Sequence, residues 1–469
     1  MTSNSVLIHN PLPFMTEKIM KKKFLEGKYS SGKISKITTS LKNGLPYKIL
    51  ISFDKEELCD SFITNYNEKF FDNKLTYHLN IEKTQKTEDE FKKENEENKT
   101  DYQLYKFEIE YEKEWKVDYV NSPEKPGLLY INEEAKNKIY KTFKFLITKF
   151  GKNLFEGKSI INVSFPIFLY DKRTYAQVFA YEHRLAPYFL SRAALSTDKM
   201  ERLKWVVVHL MSFLHISTIQ TQPFKPVVGE TFQCRIGDFV LYLENTTSDS
   251  LTNNFYGYDD NRNYKIYGYQ VSDISTMPNS VIASKLGKYY IEFRDGTKYL
   301  LRLPNMTLKG ISMGDRTFNY TEKVVVFDLT NNLCAYIEMN PEELGFFKSL
   351  FKKKNSFPDF FKGDIVESSF VKLDEKACNH TLNKGWKSLC RIDGEWTSVC
   401  RFDDEEYWDV EDYNLIPMYH YGFLCPSDSS LRPDLIEFIK DNQEKSQVEK
   451  EKIEEDEEKD KNLRKKNYK

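Results

Sequence analysis

The chain has few cysteines, no long apolar run and almost no net charge, and each shortage excludes something. Seven cysteines in 469 residues, an odd number, do not make a disulfide framework. Reduced thiols and a cytoplasmic protein, peripheral to membranes at most, are the expectation. The most apolar stretch, Trp205–Leu214, is interrupted by His209 and falls far short of the ~20 residues that a spanning helix needs. Met1–Phe14 has no basic segment followed by an apolar core, so it does not read as a secretory signal. Lysine and arginine total 69 against 71 acids, a net charge of −2. No global field therefore draws the chain to nucleic acid or an anionic membrane, and such a partner has to be met by a local patch. Aromatic residues are plentiful by contrast: 34 Phe, 30 Tyr and 5 Trp make up 15% of the chain. With 40% hydrophobic residues they can fill a sizeable core, although the mean hydropathy is −0.61. The length allows two to four domains.

Residues 1–82 read as a small α/β unit. Ser5–His9, Lys36–Ser40, Tyr47–Phe53 and Lys74–Ile81 are strand-like, while Thr16–Leu25 and Asp54–Phe71 fit helices capped by Thr16 and Asp54. The order β-α-β-β-α-β is that of a ferredoxin-like domain. Val6-Leu7-Ile8-His9-Asn10 also resembles the first conserved strand of an RNA-recognition motif. RNA is nevertheless an unfavoured partner. Exposed bases stack on aromatic residues of the central strands, and here Leu7, Lys48 and Leu50 hold those positions. A module for a protein partner is the better reading. Residues 83–100 are dominated by charge around a single Phe91 and read as a linker.

The remainder, residues 101–469, reads as a second domain. Tyr102–Tyr119 alternates like a strand pair or a flap. Glu133–Phe150 carries Ile139, Phe143, Leu146 and Phe150 at helical spacing, and Tyr175–Leu190 and Asp198–Ile216 are further helical candidates. Past Pro226 the pattern stays strand-like for roughly 180 residues. Turn signals at Asp295-Gly296, Asn331-Asn332 and Asp393-Gly394 predict successive hairpins. The expected fold is α+β, with a large antiparallel β-barrel between an N-terminal helical region and C-terminal helices. Closure removes exposed edges, and a barrel of many strands tends to enclose a ligand cavity. Asp441–Lys469 and the residues before it read as solvated helix with sparse anchors at Ile436, Phe438, Ile439, Val448 and Ile453.

Two motifs invite chemistry that their context does not support. Gly310-Ile311-Ser312-Met313-Gly314 matches the serine-hydrolase pattern, which needs a strand, a sharp turn and then a helix, but strand-like sequence follows. Cys378, His380, Cys390 and Cys400 lack the paired spacing of a zinc knuckle and read as free thiols. His183, His209 and His215 read as packed or surface residues, and Trp386 and Trp396 as core. No enzyme activity, metal or cofactor is expected.

Pro223-Phe224-Lys225-Pro226-Val227-Val228-Gly229-Glu230-Thr231-Phe232 resembles the signature with which the barrel begins in the oxysterol-binding protein family. Three more segments agree in order: Ser164-Phe165-Pro166, Asp198-Lys199-Met200-Glu201-Arg202, and Pro426-Ser427-Asp428-Ser429-Ser430-Leu431-Arg432-Pro433-Asp434. The resemblance spans about residues 143–466. It implies a protein that encloses one sterol or phospholipid under an N-terminal lid, here Leu128–Lys138 or the flap before it, and transfers it between membranes. Burying the ligand's apolar surface is worth ~25 cal/mol per Å². Transient membrane contact is implied as well, with Lys352-Lys353-Lys354 after Phe346, Phe347 and Phe351 as a candidate cluster, although a solvated turn is the plainer reading. The rival reading is an adaptor or tether with a vestigial barrel.

By the same resemblance the lipid-binding residues are Lys225, Glu244, Ser248, Asp249, Lys450 and Glu454. Pro223, Pro226, Gly229, Glu230 and Thr231 carry the signature, and serve either ligand contact or a constrained start to the barrel. The family's phosphoinositide fingerprint has paired histidines where Ser248 and Asp249 stand. An aspartate beside a phosphate is repelled. Gln222 replaces the signature's lysine, Lys225 partly restores the charge, and Glu458 replaces a tail arginine. Few charge-assisted partners remain for a phosphorylated inositol, so weak binding of it is expected.

Overall fold

The computed structural model describes residues 4–26, 34–66, 79–97, 119–120, 128–131, 133–151, 163–218, 222–247, 251–341, 359–373, 380–420 and 424–467. Near the N-terminus, Ser5–Ile8 lies between Leu45–Phe53 and Ile81–Thr84, with Ile34–Lys42 outermost, all antiparallel. That order is the ferredoxin-like one. Val6, Ile8, Ile49 and Ile51 point to one face, where they pack with Met20, Phe24 and Phe62. Thr16 caps the first helix, its hydroxyl accepting from the Ile19 amide. The second helix is Glu56–Tyr66, so it starts two residues after the expected Asp54 cap. The fourth strand is described at Ile81–Thr84, and residues 74–78 of the expected strand lie outside the described residues.

Residues 83–100 are not a bare linker. Glu88–Glu97 is a helix opened by a capping box: Thr87 Oγ1 accepts from the Glu90 amide, and Glu90 accepts from the Thr87 amide at 2.8 Å. Its one large apolar residue, Phe91, is fully buried against Leu7 and Leu50. A single aromatic burial of about 2–3 kcal/mol outweighs the polar composition because the cap already satisfies the first turn. The contact covers the sheet face on which an RNA-recognition motif would stack bases.

Most of the rest is one large antiparallel sheet curled into a barrel. Its first strand, Thr231–Ile236, pairs with Phe239–Glu244 on one side and with the last strand, Met418–His420, on the other. The longest hairpin joins Tyr264–Met277 to Ser280–Phe293. The latter strand forks, pairing with Lys298–Arg302 at its end and with Asn305–Lys309 at its start. Helices Tyr175–Tyr181, Ala186–Leu195 and Lys199–Ile216 pack on the sheet. The expected helix 175–190 is thus two helices, because Pro187 offers no amide to continue the first and instead opens the second. The expected helix at 198–216 is Lys199–Ile216, capped by Asp198, which accepts from the Glu201 amide at 2.9 Å. Ile139, Phe143, Leu146 and Phe150 of Glu133–Phe150 meet Ile311, Leu435 and Phe438 in one cluster.

Several other expectations are corrected. Asp393-Gly394 is not a turn. It lies inside strand Cys390–Glu395, and the chain reverses at 396–398. Gly394 is needed there because a Cβ would collide with the Val399 carbonyl and the Phe361 ring. Trp396 is buried, but Trp386 is exposed. Leu128–Tyr130, in the expected lid, is a strand on Thr317–Thr321. The tail is helix Gln443–Asn467, yet Val448 is exposed, and polar groups do the anchoring. Ser446 Oγ donates to the Asp434 carbonyl at 2.6 Å, and Gln447 accepts from the Ile167 amide at 2.8 Å. Tyr102–Asp118, Phe346–Lys354 and Cys378 lie outside the described residues.

The ferredoxin-like unit rests on the barrel. Lys22 Nζ reaches Asp412 at 2.7 Å, Asp409 at 3.6 Å and Glu406 at 3.9 Å. Burial pulls the Lys22 pKa down, but the three carboxylates outweigh it and hold the ammonium charged.

Candidate functional site

The signature forms a constrained turn. Gly229 adopts φ +82°, its amide donates to the Asn245 carbonyl at 2.7 Å, and the Glu230 amide donates to the Val227 carbonyl at 3.0 Å. Glu230 turns its carboxylate inward, accepting from the Val227 amide at 3.1 Å and from Arg432 Nη1 at 2.8 Å. Arg432 also grips Asp434 at 3.1 and 2.8 Å and donates to the Lys225 carbonyl at 2.6 Å. Burial raises the Glu230 pKa while Arg432 opposes it. Thr231 donates through its amide to the Ser427 carbonyl at 2.9 Å. Pro223 lies in strand Gln222–Phe224, parallel to Tyr170–Thr174, and Pro226 leads into the turn. Two motifs some 200 residues apart are thus locked by one buried ion triad, the constrained-start reading of the signature.

A second knot joins the tail to the segment before the barrel. Lys450 is buried, its ammonium 2.7 Å from Ser164 Oγ and 2.8 Å from Glu454 Oε1. Ser164 Oγ in turn donates to Glu454 Oε2 at 2.9 Å. Lys225 faces a different acid. Burial raises the Glu457 pKa against the pull of Lys225, and this carboxylate accepts from the Val228 amide at 3.4 Å. Glu244 is exposed at its strand end, opposite Thr231. The structure therefore brings Lys450 and Glu454 together and sets Lys225 and Glu244 apart from them. Ser248 and Asp249 lie outside the described residues.

Inside the barrel the inward residues of Leu251–Asp259 and Tyr264–Met277 mix apolar side chains with the buried polar residues Asn253, Asp259, Gln270, Ser272 and Thr276. Asn253 stands directly across from Gln270, both buried. Among the described residues, neither amide atom of Asn253 nor Gln270 Oε1 has a hydrogen-bond partner. Gln270 Nε2 donates to Tyr175 Oη at 3.3 Å, and Tyr175 also bonds Ser272. Burial pushes the Tyr175 phenol up to about 12. Lys285, across from Ser272, is paired with Glu182.

Behind this lies a neutral imidazole pair. His183 Nδ1 bonds the Phe179 carbonyl at 2.8 Å, and Tyr289 Oη sits 3.0 Å from His183 Nε2 and 3.2 Å from His209 Nε2. Burial depresses His183 to about 4 and His209 to about 3. Asn253 and Gln270 were not singled out from the sequence. Their signal is a polar residue at an inward position of a period-two strand, visible once the register is known.

A model of the "Oxysterol-binding protein" family matches residues 146–469. The chain belongs to that family. Among oxysterol-binding proteins, "Oxysterol-binding protein 9" of Dictyostelium discoideum is 29% identical over 324 residues, 67% of this chain and 74% of that protein. Human "Oxysterol-binding protein-related protein 5" is 26% identical over 200 residues, 40% of this chain and 22% of that protein. Two solved structures share the fold. The Osh1 ORD domain in complex with ergosterol superposes at a TM-score of 0.53 and 17% identity, covering 66% of this chain and 78% of that one. The Saccharomyces cerevisiae Osh3 ORD in complex with PI(4)P gives 0.53 and 18%, covering 69% and 84%.

The hydrolase-like motif has no place in an oxysterol-binding barrel. Ser312 Oγ donates to Asn279 Oδ1 at 2.8 Å, and strand Thr317–Thr321 follows where a nucleophile elbow needs a helix. Cys390 and Cys400 are buried free thiols that do not converge with His380 in any metal-sized cluster among the described residues. Among those residues no helix is long and apolar enough to cross a membrane.

Proposed function

We propose that the chain encloses one sterol or phospholipid in its barrel and moves it between membranes, working in the cytoplasm at membrane surfaces and performing no chemical step. The observation that carries this reading is the Asn253–Gln270 pair. Buried amide groups cost about 1–3 kcal/mol each when unsatisfied, so a barrel that keeps them without protein partners among the described residues is built to receive a polar group. A ligand hydroxyl or headgroup satisfies them, while its hydrocarbon lies against inward residues such as Phe255, Ile266 and Ile291. The Osh1 and Osh3 domains in their complexes with ergosterol and PI(4)P offer a sterol and a phospholipid as precedents.

Phosphoinositide exchange has no part in the proposal. Lys450 is committed to Ser164 and Glu454, Lys225 is opposed by Glu457, and Ser248 and Asp249 replace the paired histidines. Release then follows the composition of the receiving membrane. The test is native mass spectrometry with lipidomics on the full chain after exposure to mixed liposomes. One stoichiometric sterol or phospholipid supports the carrier. Phosphatidylinositol 4-phosphate among the bound species overturns the charge argument. A folded but empty protein leaves the adaptor, in which the ferredoxin-like unit recruits a protein partner.

A further inference from the structure

One rim of the barrel is apolar, exposed and locally basic. Ser280 pairs with Lys309, Lys309 with Thr317, and Thr317 with Leu129, so these four residues form one row across the sheet. Beyond that row project the hairpin tip at 277–280, the loop at 310–316 and the chain leaving Tyr130. Each carries an exposed apolar side chain: Met277 is 44% exposed, Met313 74% and Ile131 49%. Exposed apolar residues scattered singly are ordinary, but three gathered on one rim mark an interaction surface.

The two methionines stand on a braced platform. Asn279 Oδ1 accepts from the Ser312 and Met313 amides at 3.0 and 3.1 Å, and Asn279 Nδ2 donates to the Met313 carbonyl at 3.1 Å. The Gly310 amide donates to the Asn279 carbonyl at 3.0 Å. The motif that imitates a serine hydrolase is therefore a clamp that fixes Met313 outward. Helix Glu133–Phe150 starts from the same rim, and its outer face shows Tyr140, Lys141, Lys144 and Ile147. Residues 131–150, 277–280 and 309–316 together hold seven lysines and arginines against three acids, in a chain whose net charge is −2.

We propose that this rim docks the protein on an anionic bilayer, with Met277, Met313 and Ile131 entering the headgroup region and the exposed Lys141 and Lys144 of helix Glu133–Phe150 facing the lipid charge. Flexible apolar thioethers suit a heterogeneous surface. A juxtaposed basic face is what an anionic leaflet attracts, and salt screens that attraction. A second protein surface has no need of the charge bias. The inference rests on the carrier reading for its purpose, but its geometry is independent of the cargo.

The test is co-sedimentation of the full chain with phosphatidylcholine vesicles, with and without phosphatidylserine, for the wild type, the M277D/M313D double variant and L329D. Leu329 is 51% exposed at the opposite end of the barrel, where its amide donates to the Lys298 carbonyl. The wild type and L329D bind vesicles containing phosphatidylserine, less so in high salt, and the double variant loses binding by roughly ten-fold or more. Loading with sterol from cyclodextrin, which needs no membrane, is equal in all three. A wild type that binds vesicles but takes nothing from cyclodextrin removes sterol as the cargo and leaves the rim standing. Equal sedimentation of the double variant and the wild type overturns the rim. So does a wild type that runs as a dimer in sedimentation velocity while the double variant runs as a monomer, which would assign the rim to a second copy of the chain.

Discussion

Asn253→Leu exchanges a buried amide without a partner for an apolar side chain of similar size, and its two consequences have opposite signs. The amide offers a donor and an acceptor, both unsatisfied among the described residues. Each unsatisfied group costs about 1–3 kcal/mol when nothing fills the barrel. Part of that gain is lost to imperfect packing beside Gln270 and Phe255, leaving a net stabilisation of about 1–2 kcal/mol. For a barrel of this size, each kcal/mol shifts the melting temperature by roughly 2–4 °C. The empty variant is therefore expected to melt about 2–8 °C higher than the empty wild type. Cargo occupancy should fall sharply, because the ligand's polar group would now meet leucine. The comparison is made by scanning calorimetry on delipidated protein, since bound lipid raises the melting temperature by mass action. Occupancy is read by native mass spectrometry on the same preparations. Asn254→Leu serves as the control, because Asn254 points outward and bonds Thr246 Oγ1 at 2.7 Å. A variant that melts lower than the wild type yet loads as well would refute the reasoning, showing Asn253 to be structural and the ligand to sit elsewhere.

Arg432→Met strips the counter-charge from two buried carboxylates, Glu230 and Asp434, and is expected to cost about 3–5 kcal/mol in urea unfolding. A loss below 1 kcal/mol would mean the triad does not hold the signature turn. Stability should also fall with acid. The unfolded chain takes up protons at His183 and His209 near pH 6.5, while the folded values are about 4 and about 3, so the contribution is complete above pH 6.5 and lost as pH drops toward those values. Between pH 6.5 and 5 this amounts to about 2 kcal/mol per histidine, and unfolding free energies that stay flat over that span contradict the buried, neutral pair. Asp238 has the opposite sign. Burial, with Asp259 and Asp260 nearby, lifts it to about 7 from 3.8, so ionising it penalises the fold increasingly as pH rises through that window. Asp238→Asn should therefore raise the melting temperature at pH 8 and have no effect at pH 3.5, and an equal effect at both would point to packing instead.

What could be read in the sequence follows from where the physics is local. The Thr16 cap, the apolar face of Glu133–Phe150 and the turn at Asn331-Asn332 are each set by residues within a few positions of one another, and each forms where expected. Helix Glu88–Glu97 had an equally local signal in Thr87-x-x-Glu90, but counting charge over the whole segment hid it. The failures at Gly394 and in the tail are of another kind. Whether an Asp-Gly pair turns or lies flat in a strand depends on Phe361 and Val399, and whether a highly charged helix is held depends on Ser164 and Ile167, far upstream. The candidate site lies at this non-local extreme. Asn253 and Gln270 look like ordinary polar strand residues until pairing sets them opposite each other on the inner face. One residue's slip in register would turn both to solvent. A site of this design is specified by strand pairing more than by any motif, so the paired histidines can be absent from this chain while the interior that would hold a lipid is still built.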